Sequence, residues 1–280
     1  MDYQGIHTVG SDLVVEGIRH FTLPETLDCG QAFRWEPAGE SSWQGIARGH
    51  FLRLTHEGDQ LILHDTTPMT FETVWEDYFD LRRDYGALKE AFSQDETLER
   101  TVTFAPGIRV LRQEPWEALC CFIISQNNNI KRIKGIVARL CELFGEPIEG
   151  GFAFPTAQML AEQTIESLAP LRSGFRAKYL LDAAQKVAKG ELVLEPLYTA
   201  PLDEARQSLM TVHGIGPKVA DCVLLYGLGR IECVPMDVWM KRAMASLFPQ
   251  GLPEFALPVA GIAQQYIFHY SRHNSALLTV

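Results

Sequence analysis

Along the first hundred residues the apolar positions come in short runs broken by glycine and by acid. Residues 13–18 (LVVEGI), 49–58 (GHFLRLTHEG) and 59–65 (DQLILHD) are apolar or alternating, the pattern of strands with one buried face. The step Glu57-Gly58-Asp59 between the last two reads as a hairpin turn. After Phe71 the period lengthens. Helices are predicted over 75–93, 115–126, 130–145, 157–169, 176–190, 202–212, 218–229, 237–248 and 257–273. In 130–145 the apolar residues Ile133, Ile136, Val137, Leu140 and Phe144 form one stripe, and Gly145 is placed to cap the C-terminus. The expected fold is α+β. A small antiparallel β-sheet domain over residues 1–104 precedes a larger all-helical body over 105–280.

Composition supports a globular chain: 46% of the 280 residues are hydrophobic, ample for a core. The longest apolar run, ALCCFII at 118–124, is too short to span a bilayer. The opening MDYQGIHTVGSD lacks the basic and apolar regions of a secretory signal. Six cysteines are scattered with no C-x-x-C pair, which favours reduced thiols and a cytoplasmic setting over disulfides, a zinc site or an iron–sulfur centre. The net charge of −10 argues against nucleic acid only as an average. Residues 1–100 hold 8 Lys/Arg and 19 Asp/Glu, whereas residues 101–280 hold 17 and 16. The acid-free stretch 130–140 carries Lys131, Arg132, Lys134 and Arg139. It reads either as a solvated helix face or as the local basic surface that phosphate contact needs.

The chemistry concentrates in HGIGPKVADC, residues 213–222. Two predicted helices are joined by only His213-Gly214-Ile215-Gly216, giving a helix-hairpin-helix at about 203–228. The glycines permit positive φ and close backbone approach, and Pro217 suits the first turn of the second helix. Backbone N–H groups of His213, Gly214 and Gly216 can then meet a DNA phosphate with no side chain in the way. Lys218 stands near the positive end of that helix. There the helix dipole and partial desolvation would favour its neutral, nucleophilic amine. On the hairpin alone, a phosphate contact and a nucleophile are equally good readings of Lys218. Asp237, in VPMDV, follows it by 19 residues and precedes a helix. It is a natural N-cap, and it is also a carboxylate that the chain can return to the hairpin, where it would stabilise a developing oxocarbenium or assist proton transfer.

HGIGPKVADC followed by VPMDV resembles the helix-hairpin-helix DNA glycosylase superfamily, in the branch whose lysine makes it also an abasic-site lyase. LDCGQAFRW, CFIISQNNNIKRI, SGFRAKY and AGIAQQYIF narrow the resemblance to the eukaryotic-type 8-oxoguanine DNA glycosylase, in a short bacterial form, over nearly the whole chain. The resemblance implies particular roles. Lys218 and Asp237 are the catalytic pair. Gly30 supplies the backbone carbonyl that accepts the N7 hydrogen of 8-oxoguanine, a hydrogen that guanine lacks. Cys222, Gln264 and Phe268 hold the flipped base. Asn127 enters the vacated stack, Arg132 and Arg176 read the orphaned cytosine, and Phe175 is the aromatic wedge. Read from the residues alone, the asparagines are a helix cap, Phe175 and Cys222 core residues, and Gly30 a turn glycine. Trp239 and Tyr226 depart from the family pattern, which tends to histidine and methionine there.

The expected function is therefore a bifunctional glycosylase/lyase acting on 8-oxoguanine opposite cytosine in double-stranded DNA, working as a monomer on bacterial cytoplasmic DNA. The resemblance implies no required cofactor and no catalytic metal, with room for a structural cation at the hairpin carbonyls. The rivals are a glycosylase for another lesion and a non-catalytic helix-hairpin-helix DNA-binding protein.

Overall fold

The computed structural model describes residues 1–278. Six antiparallel strands form one sheet: β1 (Gly5–Val9), β2 (Asp12–Glu16), β3 (Trp35–Pro37), β4 (Ser42–Ala47), β5 (His50–Glu57) and β6 (Gln60–Leu63), in the order β1-β2-β6-β5-β4-β3. Glu57 pairs with Gln60 across Gly58-Asp59, with Gly58 at φ +62°, so the predicted turn is a two-residue hairpin. Three of the strands, β1, β3 and β4, lie where the sequence pattern predicted none; β1 and β3 carry exposed positions, and β4 is broken up in sequence by Gln44 and Gly45. Leu13, Val15, Leu52, Leu54, Leu61 and Leu63 of the sheet pack with Trp35, Trp75, Tyr78 and Phe79 in one core.

A larger core surrounds the helix Pro115–Ser125, nine of whose residues are buried, from Trp116 to Ile124. Tyr85–Phe92 and Glu96–Phe104 contribute Tyr85, Phe92, Leu98 and Val102 to this core.

Three predicted helices are interrupted. The stretch 75–93 breaks at 79–84, where Asp80 is left-handed (φ +51°). The fully buried Arg109 collects the carbonyls of Phe79 and Arg83, both at 3.0 Å, and of Asp80, and pairs with Asp2 at 2.8 Å. A helix would have consumed those carbonyls itself. The stretch 157–169 ends at Ala161. Just beyond, Thr164 and Ser167 exchange backbone-to-hydroxyl bonds at 3.0 and 3.2 Å, a local competitor of the helix. In 218–229 the α-helix Pro217–Cys222 widens at Val223–Gly227, where Leu228 N–H donates to the Val223 carbonyl at 3.1 Å.

Candidate active site and nucleic-acid interface

The hairpin consists of Leu202–Met210, a turn over 211–216 and Pro217–Cys222. Gly214 is required twice over. Its φ is +82°, and a Cβ there would lie 2.4 Å from the Tyr179 ring. The His213 ring packs edge-on to Tyr179 at 5.1 Å, and His213 N–H donates to Asp182 Oδ2 at 2.7 Å. Beside Gly216 nothing lies within 4 Å of where a Cβ would stand, so the turn faces open space at the point proposed for a phosphate.

Lys218 is half-buried, with Nζ 5.7 Å from the centre of the buried Phe122 ring. Cys222 follows one turn later. Burial pushes its thiol up to about 11, while the Lys218 ammonium beside it and a hydrogen bond from that group pull the other way and Asp237 adds to the rise. Asp237 also caps the helix Val238–Leu247, its Oδ1 accepting from Met240 N–H at 2.7 Å, so the N-cap expectation and the approach to the hairpin are compatible.

The base-pocket residues converge from three elements. Gly30 has φ +91°, and a Cβ there would stand 3.5, 3.7 and 3.9 Å from Ile130, Arg272 and Phe268. Gln264 is buried and Phe268 half-buried, one turn apart on the helix Ala260–His273. Tyr226, one turn past Cys222, stacks on Phe122 at 5.2 Å. Its hydroxyl stands 2.5 Å from Gln265 Oε1 and 3.4 Å from Gln264 Oε1. Sequence reasoning passed over Phe122, Gln265 and Arg272. Phe122 lies inside an apolar run that reads as core, and Arg272 carries no motif. Gln265 stood beside a glutamine already given a role, and its burial was the missing signal.

The second set of residues lies on the surface. Asn127 is exposed and left-handed (φ +46°), Asn128 donates to the Ile124 carbonyl at 3.1 Å, and Asn129 caps Ile130–Phe144 by accepting from Arg132 N–H at 3.0 Å. Phe175 is 46% exposed. Arg132 is exposed, its guanidinium 3.4 Å from the Arg172 carbonyl. Arg176 is different: only 3% exposed, it donates to the carbonyls of Gln126, Asn127 and Ser173 and lies 4.4 Å from the Phe175 ring centre. Burial and the nearby Arg132 push its guanidinium down from the ordinary value. In this arrangement Arg176 holds the Asn127 loop, and reading a base edge requires it to leave those carbonyls. Of the four cations in 130–140, Lys134 pairs with Asp28 at 2.8 Å and Arg139 donates to the Leu171 carbonyl at 2.8 Å. Lys131 and Arg132 are the exposed ones.

All six cysteines are free and buried. Among the described residues no cluster of three or more His, Cys, Asp or Glu could hold a metal ion, and no helix is long and apolar enough to cross a membrane.

Two family models match in succession: the N-terminal domain of 8-oxoguanine DNA glycosylase over residues 14–119, and the HhH-GPD superfamily of base-excision DNA repair proteins over 120–251. The solved structure of MBOgg1 in complex with a low-affinity DNA ligand is similar at 42% identity and TM-score 0.93, covering 98% of this chain and 100% of that one. An 8-oxoguanine glycosylase/lyase from Clostridium acetobutylicum, solved with double-stranded DNA containing cytosine opposite 8-oxoG, is similar at 35% identity and TM-score 0.91, with 98% and 100% covered. Among curated relatives, N-glycosylase/DNA lyase OGG1 of Arabidopsis thaliana is 33% identical over 78% of this chain. The chain spans 64% of that protein's length, and 40% of the N-glycosylase/DNA lyase of Saccharomyces cerevisiae, which it matches at 41% identity over 49% of its own length. With full-length agreement to two solved members and consecutive matches to both family models, the chain belongs to the 8-oxoguanine DNA glycosylase/lyase family.

Proposed function

We propose that the chain excises 8-oxoguanine opposite cytosine from double-stranded DNA and then cleaves the abasic strand. The observation that carries this reading is the half-buried Lys218 over the Phe122 ring, one helical turn from the buried Cys222 and beside the Phe122–Tyr226 stack, with Gln264 reached through the Tyr226 hydroxyl. An amine, a carboxylate and a base-sized set of polar and aromatic groups are what base excision needs.

In this reading the Lys218 amine attacks C1′ of the flipped nucleotide. The C1′–N9 bond breaks, and its electron pair leaves with the base, which takes up a proton. Asp237 stabilises the positive charge that develops on the sugar and orients the amine. Proton loss from nitrogen and opening of the sugar ring leave a Schiff base. Removal of a C2′ proton then expels the 3′ phosphate by β-elimination, and water frees Lys218. The Gly30 carbonyl accepts the N7 hydrogen of the lesion; guanine would set acceptor against acceptor, at a cost of about 1–3 kcal/mol. Cys222 and Phe268 sandwich the ring and Gln264 takes its Watson–Crick edge. Asn127 and Phe175 fill the vacated stack, and Arg132 reads the cytosine, joined by Arg176 once it turns outward. Gly214 and Gly216 bind the backbone phosphate, while His213 N–H, spent on Asp182, holds the turn; the hairpin carbonyls would be the groups to hold a monovalent or divalent cation.

The experiment is borohydride trapping on a duplex with a single 8-oxoguanine opposite cytosine. A covalent adduct that is absent with Lys218→Gln is expected. Tight binding by the intact protein with no adduct would reduce Lys218 to a phosphate contact. Adducts on other lesions, or with other opposite bases, would move the substrate.

A further inference from the structure

Gly30 sits inside a closed ring of hydrogen bonds that the chemistry at Lys218 does not use. The Gln31 carbonyl, on the C-terminal side of Gly30, accepts from Gln113 Nε2 at 2.7 Å. The backbone N–H of Gln113 donates to the Tyr226 carbonyl at 2.7 Å. The Tyr226 hydroxyl donates to Gln265 Oε1 at 2.5 Å, and Gln265 Nε2 reaches the Cys29 carbonyl at 3.5 Å. That carbonyl belongs to the peptide that precedes Gly30, so the ring closes around Gly30 and Gln31. Cys29, Gln31, Gln113, Tyr226 and Gln265 are each 5% exposed or less. Gln31 is tied further: its Nε2 donates to the Thr26 and Arg109 carbonyls at 2.8 and 2.7 Å, and its Oε1 accepts from Leu111 N–H at 2.9 Å.

Buried amides and a buried phenol are costly to place, and apolar side chains would fill the same volume at less risk. Here they converge on one loop glycine. A backbone carbonyl that must distinguish a hydrogen from a lone pair works only if its direction is fixed within a few tenths of an ångström. Gly30, with its positive φ, has the freedom that would blur that direction. Holding the peptide that precedes Gly30 and both the side chain and the carbonyl of Gln31 after it limits that freedom from the two flanks without filling the pocket side.

We propose that Tyr226 and Gln265 are positioning residues that set the Gly30 carbonyl and thereby sharpen discrimination between 8-oxoguanine and guanine. The inference rests on the function proposed above. It also assigns a role to Tyr226, which departs from the family pattern.

The test compares affinities for a duplex with one 8-oxoguanine·cytosine pair and for its guanine·cytosine counterpart, in a Lys218→Gln background so that neither is cleaved. Tyr226→Phe is expected to lower the ratio of the two affinities roughly tenfold, equivalent to about 1.4 kcal/mol. Gln265→Met is expected to do the same. The double variant should lose no more than either single one, because the ring is opened only once. It leaves the buried Cys29 carbonyl without its Gln265 donor, so it should melt below the parent while still unfolding cooperatively. An unchanged ratio in the folded double variant overturns the proposal, as does an equal loss of affinity for both duplexes. Excision by the wild-type protein is measured separately. If that fails, the proposed function falls; if it succeeds and the ratio does not move, this inference alone falls.

Discussion

Around Gly30 the polar groups are buried and bonded to one another, whereas around Asn127 and Phe175 the groups assigned to the opposite strand stand in solvent. Under the proposed function the lesion side must detect a single hydrogen on a base that has left the helix, and there the buried polar groups flanking Gly30 are already bonded to one another. The opposite-strand side must slide into a duplex whose stack has just opened, and exposed amide, ring and guanidinium groups can do so without unpacking a core. Arg176 is the exception that links the two styles. It belongs to the opposite-strand set by sequence position, but its donors are spent inside the protein.

Substitutions can break this contrast at several points. The largest effect is expected at the catalytic edge between the two sides. Asp237→Asn keeps a good helix cap, so thermal stability should hardly change, while single-turnover excision should fall by roughly 10²–10⁴-fold. A comparable fall in melting temperature would make Asp237 a cap and little more. Next comes Arg176→Ala, which leaves the carbonyls of Gln126, Asn127 and Ser173 without their donor. Denaturant unfolding should show a loss of about 1–3 kcal/mol. A variant as stable as wild type that no longer prefers cytosine would instead place Arg176 wholly among the readers. Arg132→Ala belongs to the exposed side. Its stability should stay within about 0.5 kcal/mol of wild type, while the slope of log affinity against log salt should fall by about 1 if it meets a phosphate, or cytosine preference should relax if it reads the base.

The smallest effect concerns activity least and tests what burial costs. Burial pushes the Glu117 carboxyl up to about 7, with Arg34, 3.4 Å away, pulling it down. The folded value lies above the ordinary 4.5. The contribution of Glu117 is therefore fully present below about pH 4.5 and is lost as pH rises through about 7. Glu117→Gln should flatten the stability–pH curve in that window. Parallel curves for variant and wild type would show that the group titrates normally.

How much of this was legible in the sequence follows from the kind of signal each residue carries. Gly214 and Pro217 are read directly, because only glycine tolerates φ +82° against the Tyr179 ring and only an N–H that is free anyway can be given up to proline. Asp237 was legible as a cap from its place before an apolar-periodic segment. Gly30 was legible as a pocket residue only by resemblance, since a turn glycine looks the same in one dimension. Phe122 and Gln265 carried no local signal. Their roles come from contacts with residues about a hundred or more positions away, Lys218 and Cys29. The same holds for the broken helix at 79–84. Its own residues favour a helix, and the distant Arg109 claims the carbonyls that the helix would need. Local periodicity predicts an element well until a buried polar group from elsewhere competes for its backbone.

The account's central claim is that the Lys218 amine becomes covalently joined to the sugar. The direct measurement is mass spectrometry of the borohydride-trapped complex formed with an 8-oxoguanine·cytosine duplex, after proteolysis of the protein and digestion of the DNA. The account predicts a reduced sugar adduct on the peptide carrying Lys218 and on no other. An adduct on a different lysine or on the N-terminal amine, with Lys218 unmodified, would contradict it.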